Sequence, residues 1–203
     1  MKSLIINIFL LLHLFNNPNF AQESNYPIFD SDYTFNQAVD GIEIPKSIIK
    51  QLILLDVEYY SFDDKLHKGQ VVINKKAVKD IKEIFNFIKD SGFPIAKAVP
   101  IVKYNWSDDQ SMRDNNTSAF NYRKVKGQKV ISPHSYGMAI DLNPLFNPHI
   151  KGKKVQPANG KYDTKVVGTI LRDSKLVKEF IKRGWQWGGT WRSSNDYQHF
   201  EKK

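Results

Sequence analysis

The chain has 203 residues, 41% hydrophobic and 13% aromatic, which is enough apolar material for one cored domain and too little length for several. It contains no cysteine, so a disulfide framework, a thiolate metal site and a lipidated cysteine are all excluded. Net charge is +9, but the lysines are scattered along the chain rather than blocked, so no basic stripe of the nucleic-acid-binding kind is present and no nucleic-acid partner is expected.

Lys2, an apolar run over residues 4–15 and a polar stretch leading to Phe20-Ala21 have the layout of a secretory signal peptide over residues 1–21. The run is shorter than the ~20 residues a helix needs to cross a bilayer, so no membrane span is expected after cleavage. Lys2 supplies one of the net charges, leaving +8 on the exported chain, which suits anionic polymers of the cell envelope. Residues 22–50 are polar and aromatic without clear period and read as an extended lead-in, with the domain itself over 51–203.

Alternation over residues 55–62 places Leu55, Val57 and Tyr59 on one face and Asp56, Glu58 and Tyr60 on the other. Turn residues from Asp63 to Gly69 and a β-branched run at 70–73 complete a hairpin. Asn74 can cap a helix with Val78, Ile81, Ile84, Phe85 and Ile88 on one face, ended by Gly92 and Pro94. Residues 95–104 read as a strand, with Pro100 demanding an edge or a bulge. Residues 105–129 and 143–168 read as two long loops, separated by strand-like pieces around Pro133-His-Ser-Tyr-Gly137. Asp173 can cap a second helix bearing Leu176, Val177, Phe180 and Ile181, stopped by Gly184, and the aromatic tail to Glu201 is strand-like again. Helices interspersed with antiparallel strands define an α+β class, without internal repeats.

Five histidines stand at positions 13, 67, 134, 149 and 199, the first of them inside the leader. A catalytic zinc takes three protein ligands and leaves one position open for water. His134, Asp141 and His199 would supply two nitrogens and one oxygen, with Gly137 letting the chain turn back between the first two. Asp196, three residues before His199, could act as general base on the bound water. Each residue alone also fits a blander role, a packed core histidine or a capping aspartate. His149, following Asn147-Pro148 in a loop, reads as a poor ligand.

Two ordered motifs then carry a resemblance: Ser132-x-His134-x-x-Gly137-x-Ala139-x-Asp141, and Asp196-x-x-His199-Phe-Glu201. Together they resemble the zinc D-alanyl-D-alanine carboxypeptidases of the VanY type, and most of all the branch that holds bacterial and phage L-alanyl-D-glutamate endopeptidases. The similarity runs over residues 57–201 and includes Phe93-Pro-Ile95, Asn116-Thr-Ser-Ala-Phe-Asn-Tyr-Arg123, Asp141-Leu-Asn-Pro144 and Gly184-Trp-Gln-Trp-Gly188.

The resemblance implies a hedgehog/DD-peptidase-like fold, a small antiparallel sheet carrying the zinc site with helices packed on it. It implies Zn2+ held by His134, Asp141 and His199, and Asp196 as catalytic base where most relatives place glutamate. Arg123 matches an arginine of the substrate cleft, though an ordinary surface salt bridge would also explain it. Peptidoglycan stem peptides become the expected substrate, cut outside the cytoplasm by a monomer that is secreted or periplasmic. An endopeptidase acting between L-Ala and D-Glu is favoured, with a D-Ala-D-Ala carboxypeptidase and a non-catalytic zinc-containing envelope-binding domain as alternatives. Trp185, Trp187 and Trp191 could wall the cleft or fill the core, and Ser132 is expected to order its turn rather than attack substrate.

Overall fold

A long antiparallel hairpin carries one side of the core, and the metal-site motifs are folded against its far end. The computed structural model describes residues 26–125 and 129–203, so the expected leader, residues 1–21, lies outside the described residues. In chain order the elements are β1 (Ile28–Phe29), α1 (Phe35–Ala38), α2 (Lys46–Ile49), β2 (Leu52–Tyr60), β3 (Leu66–Asn74), α3 (Val78–Ser91), β4 (Lys97–Ala98), α4 (Asp108–Arg113), β5 (Asn116–Thr117), β6 (Ala139–Asp141), β7 (His149–Lys151), β8 (Lys154–Gln156), α5 (Lys175–Ile181), β9 (Gln186–Trp187), β10 (Asn195–Asp196) and β11 (His199–Glu201). The mixture of small sheets and few helices is the α+β class that the pattern predicts.

β2 and β3 pair in unbroken register from Leu52 opposite Asn74 to Tyr60 opposite Leu66. Leu55, Val57 and Tyr59 are buried as the alternation requires, while Asp56 and Tyr60 face solvent. Gly69 belongs to β3 rather than to the turn, because a Cβ there would lie 2.3 Å from the Ala98 carbonyl oxygen and 2.6 Å from the Tyr59 hydroxyl. Close approach, not turn geometry, is what this glycine provides.

Asn74 accepts a hydrogen bond from the Lys76 amide and opens a 3-10 turn that runs into α3. Ile81, Ile84, Phe85 and Ile88 form the buried stripe, and Gly92 closes the helix in the left-handed conformation. α3 packs on β2 and on α5, and α5 packs on β9.

Several expectations are corrected here. Residues 95–104 are not one strand: only Lys97–Ala98 pairs, and Pro100 starts a 3-10 turn over Ile101–Tyr104. The stretch 105–129 is not wholly loop, since Ser107 caps α4 and β5 runs parallel to β4. The stretch 143–168 holds the β7–β8 hairpin, turned at Gly152 with φ +58°. The α5 cap is Ser174, whose side chain accepts from the Val177 amide, and not Asp173. Ile181 ends that helix 55% exposed, so only Leu176, Val177 and Phe180 face the core. The described part of the 22–50 stretch carries β1 beside β3 and a capping box at Thr34–Gln37, with Ala38 and Ile44 buried against Leu52, Val72 and Phe120.

β6, β11 and β9 form an antiparallel sheet with β11 in the centre. Ile140 and Phe200 sit opposite one another and are fully buried, with Phe200 stacked on Phe180 at 3.7 Å between ring centroids. Their neighbours in sequence, Asp141 and His199, face the other way. Because Phe200 anchors the strand that carries His199, Phe200→Ala is expected to cost about 3–5 kcal/mol of stability. Urea unfolding of the metal-free protein checks this.

Candidate metal centre and substrate cleft

The three expected ligands come together although they are far apart in sequence. His134 lies in the 3-10 turn Pro133–Tyr136, where Ser132 accepts a hydrogen bond from the His134 amide. Gly137 ends this turn at φ +63°, and a Cβ there would lie 2.6 Å from the Asn74 amide nitrogen. The Gly137 carbonyl in turn accepts from that amide at 2.9 Å, which ties the turn to the end of the β2–β3 hairpin. Asp141 and His199 are direct register partners on β6 and β11.

His134 Nδ1 donates to the Ala119 carbonyl oxygen, which fixes the tautomer and turns the Nε2 lone pair inward. The distances are 3.2 Å from His134 Nε2 to His199 Nδ1, 3.4 Å from His134 Nε2 to Asp141 Oδ1, and 3.0 Å from His199 Nδ1 to Asp141 Oδ1. Tetrahedral zinc with bonds of about 2.0–2.1 Å spaces its ligand atoms by about 3.3–3.4 Å, so this buried donor set fits such an ion.

The electrostatics agree with a cation site. Burial opposes ionisation of Asp141, but the imidazoles of His134 and His199 outweigh it and hold the carboxyl well below the usual range. Burial likewise opposes charge on His199, yet hydrogen bonds to Asp141 and Glu201 push it up to about 10. A proton is thus held where a divalent cation would compete for the same lone pair.

Glu201, the last residue of the second motif, bonds the His199 ring. Its Oε2 accepts from His199 Nε2 at 3.1 Å, which orients the ring with Nδ1 toward Asp141. The signal was present in the sequence: His-x-Glu on a strand places both side chains on one face.

The donor set opens onto a cavity of about 520 Å³ that Arg123, His149, Asp196 and Trp191 also line. Asp196 sits at the end of β10, with Oδ1 buried and without a hydrogen-bond partner among the described residues. Burial raises its pKa, and the charge of Asp141 adds to this, while His199 and His149 oppose it. Gly188 makes room for it, since a Cβ there would lie 2.9 Å from Asp196 Cβ and 3.4 Å from His199 Cβ. Arg123 reaches the cavity and also forms the alternative salt bridge, from Nη2 to Asp108 Oδ2 at 2.9 Å, while its Nε is buried without a partner among the described residues.

Of the three tryptophans, Trp185 and Trp187 are core, and Trp191 alone walls the cleft, 5.3 Å from the His199 ring. Ser132 orders the turn as expected.

A family model described as D-alanyl-D-alanine carboxypeptidase matches residues 126–202. The matched segment contains His134, Asp141, Asp196 and His199 and begins just after Arg123, so the resemblance read from the two motifs is shown where they lie. No solved structure matches the chain. Among the described residues no helix is long and apolar enough to cross a membrane.

Proposed function

We propose that this chain is an exported zinc peptidase that hydrolyses an amide bond in peptidoglycan stem peptides. The observation that supports it best is the buried His134–Asp141–His199 donor set sharing one cavity with Asp196, whose Oδ1 is buried without a hydrogen-bond partner among the described residues. His134, Asp141 and His199 would hold the ion, which when bound acidifies a water and polarises the scissile carbonyl. Asp196 would accept a proton from the attacking water as general base and return it to the leaving amine as general acid. Glu201 keeps the His199 ring in place through the cycle. Arg123, anchored by Asp108, offsets negative charge that develops on the substrate or grips its carboxylate.

The antiparallel β6–β11–β9 sheet with α5 against it is what the hedgehog/DD-peptidase-like arrangement would supply, over a domain of residues 51–203 preceded by a cleaved leader. Endopeptidase cleavage between L-Ala and D-Glu is the finer reading, carried by the aspartate at position 196. The description of the matched family favours the second reading, a D-Ala-D-Ala carboxypeptidase. Metal analysis with mass spectrometry of digested muropeptides separates them. Release of an L-Ala-bearing glycan supports the first, loss of one D-Ala supports the second, and no cleavage by zinc-loaded protein rejects both.

The cavity rim supports an acidic substrate. Lys151 and Lys154 are direct register partners on β7 and β8, both exposed and both on the cavity edge. Like charges directly opposite each other in a hairpin repel, and an anion between them would relieve this. The double variant Lys151→Gln, Lys154→Gln is expected to raise KM for anionic stem peptides several-fold with kcat nearly unchanged. The effect should shrink as salt rises above ~0.1 M, where screening acts within about 10 Å.

A further inference from the structure

One polar residue of the cavity has no part in the reaction described above. His149 begins β7, and its register partner on the antiparallel β10 is Asp196. Residues directly opposite in such a pair project to the same face, and both line the cavity. His149 Nε2 and Asp196 Oδ1 are each buried without a hydrogen-bond partner among the described residues. Two such atoms on facing residues carry a desolvation penalty that a bound group in the cavity would remove.

His149 is not a fourth metal ligand, for the group of donor atoms within 4.8 Å of one another comprises His134, Asp141 and His199 only. Nor is it a loose surface ring. β7 is the central strand of its sheet, held by β10 on one side and β8 on the other, so the Cα of His149 is fixed relative to Asp196. Arg123, which also lines the cavity, is tethered to Asp108 through Nη2, whereas His149 Nε2 has no hydrogen-bond partner among the described residues.

We propose that His149 is a substrate-binding residue whose Nε2–H donates to a carbonyl oxygen of the bound peptide beside the bond that Asp196 serves. This rests on the peptidase reading for its substrate, and two variants with two readouts test it. With zinc-loaded protein and a purified muropeptide, His149→Ala is expected to lower kcat/KM roughly tenfold to hundredfold at unchanged zinc content. His149→Gln, whose amide can donate from a similar position, should recover to within about fivefold of the parent. The second readout needs no turnover: in ¹⁵N-labelled zinc-free protein, the His149 Nε2 resonance should shift on titration with the same muropeptide.

The proposal is overturned if His149→Ala keeps kcat and KM within twofold, if His149→Gln is as impaired as His149→Ala, or if the resonance does not move when other cavity resonances do. Failure of the peptidase reading is distinguishable. A muropeptide that binds and shifts His149 Nε2 yet is never cut leaves the binding role standing and removes the catalytic one.

Discussion

Replacing Asp196 by Asn should lower turnover of a stem peptide by about 10²–10⁴-fold, the usual contribution of a positioned general base, while zinc content stays at the parental level. The same substitution should make the metal-free protein more stable at neutral pH. Burial raises the Asp196 pKa above its ordinary value, so the ionised carboxylate is less stable in the fold than in the unfolded chain. An acid with a raised folded-state pKa erodes stability as pH climbs past its unfolded value, and an amide of the same shape removes that cost. Thermal unfolding of the metal-free pair at pH 7 should therefore show a higher midpoint for the variant, and at pH 3 the gap should close. A base that destabilises the protein it serves would be a local instance of function held against stability. Near-normal turnover in the variant would remove Asp196 from the mechanism, whatever the unfolding data show.

How far the site was legible depends on how local each signal is. α3 could be placed because Ile81, Ile84, Phe85 and Ile88 repeat at helical spacing between a capping Asn74 and a closing Gly92. The donor set was legible as two motifs, but nothing in the spacing says that Asp141 and His199 are directly opposite across a pair of strands. That is a long-range fact, produced when Ile140 and Phe200 bury together on the other face.

The elements that escaped are short. α4 has six residues and no apolar stripe, and only its Ser107 cap and following acidic pair marked a start inside a polar run. β7 and β8 have three residues each and no alternation, so the loop reading followed, with Gly152 the one visible turn signal. His149 looked unpromising for the same reason. Its neighbourhood is set by a partner strand 47 residues away, near the other end of the domain. Arg123 lines the cavity, and Asp108, which pairs with it there, lies in α4, a helix that the polar pattern does not mark.

Zinc should stabilise the protein more strongly as pH rises from about 6.5 to 8.5, and the increment should follow the release of protons by the metal site. In the metal-free protein His199 is pushed up to about 10, from an ordinary value of 6.5. A raised imidazole pKa contributes stability that is complete below pH 6.5 and is lost as pH climbs toward 10, so the metal-free fold weakens across this window. Asp141 acts in the opposite sense: held low by the two imidazoles, it contributes above the ordinary carboxylate range and loses that contribution only in acid. Zinc must displace the His199 proton, so its apparent affinity should rise about tenfold per pH unit in the same window, one proton leaving per ion bound. The two trends diverge, and the difference in unfolding midpoint between zinc-loaded and chelator-treated protein should widen steadily. Calorimetric titration in buffers of different ionisation enthalpy counts the protons directly. Glu201→Gln gives the control, because it removes one of the two carboxylates that hold the proton on His199. In that variant the pH dependence of zinc binding should be shallower at the alkaline end, and a slope unchanged from the parent would show that Glu201 does not set the charge on that ring.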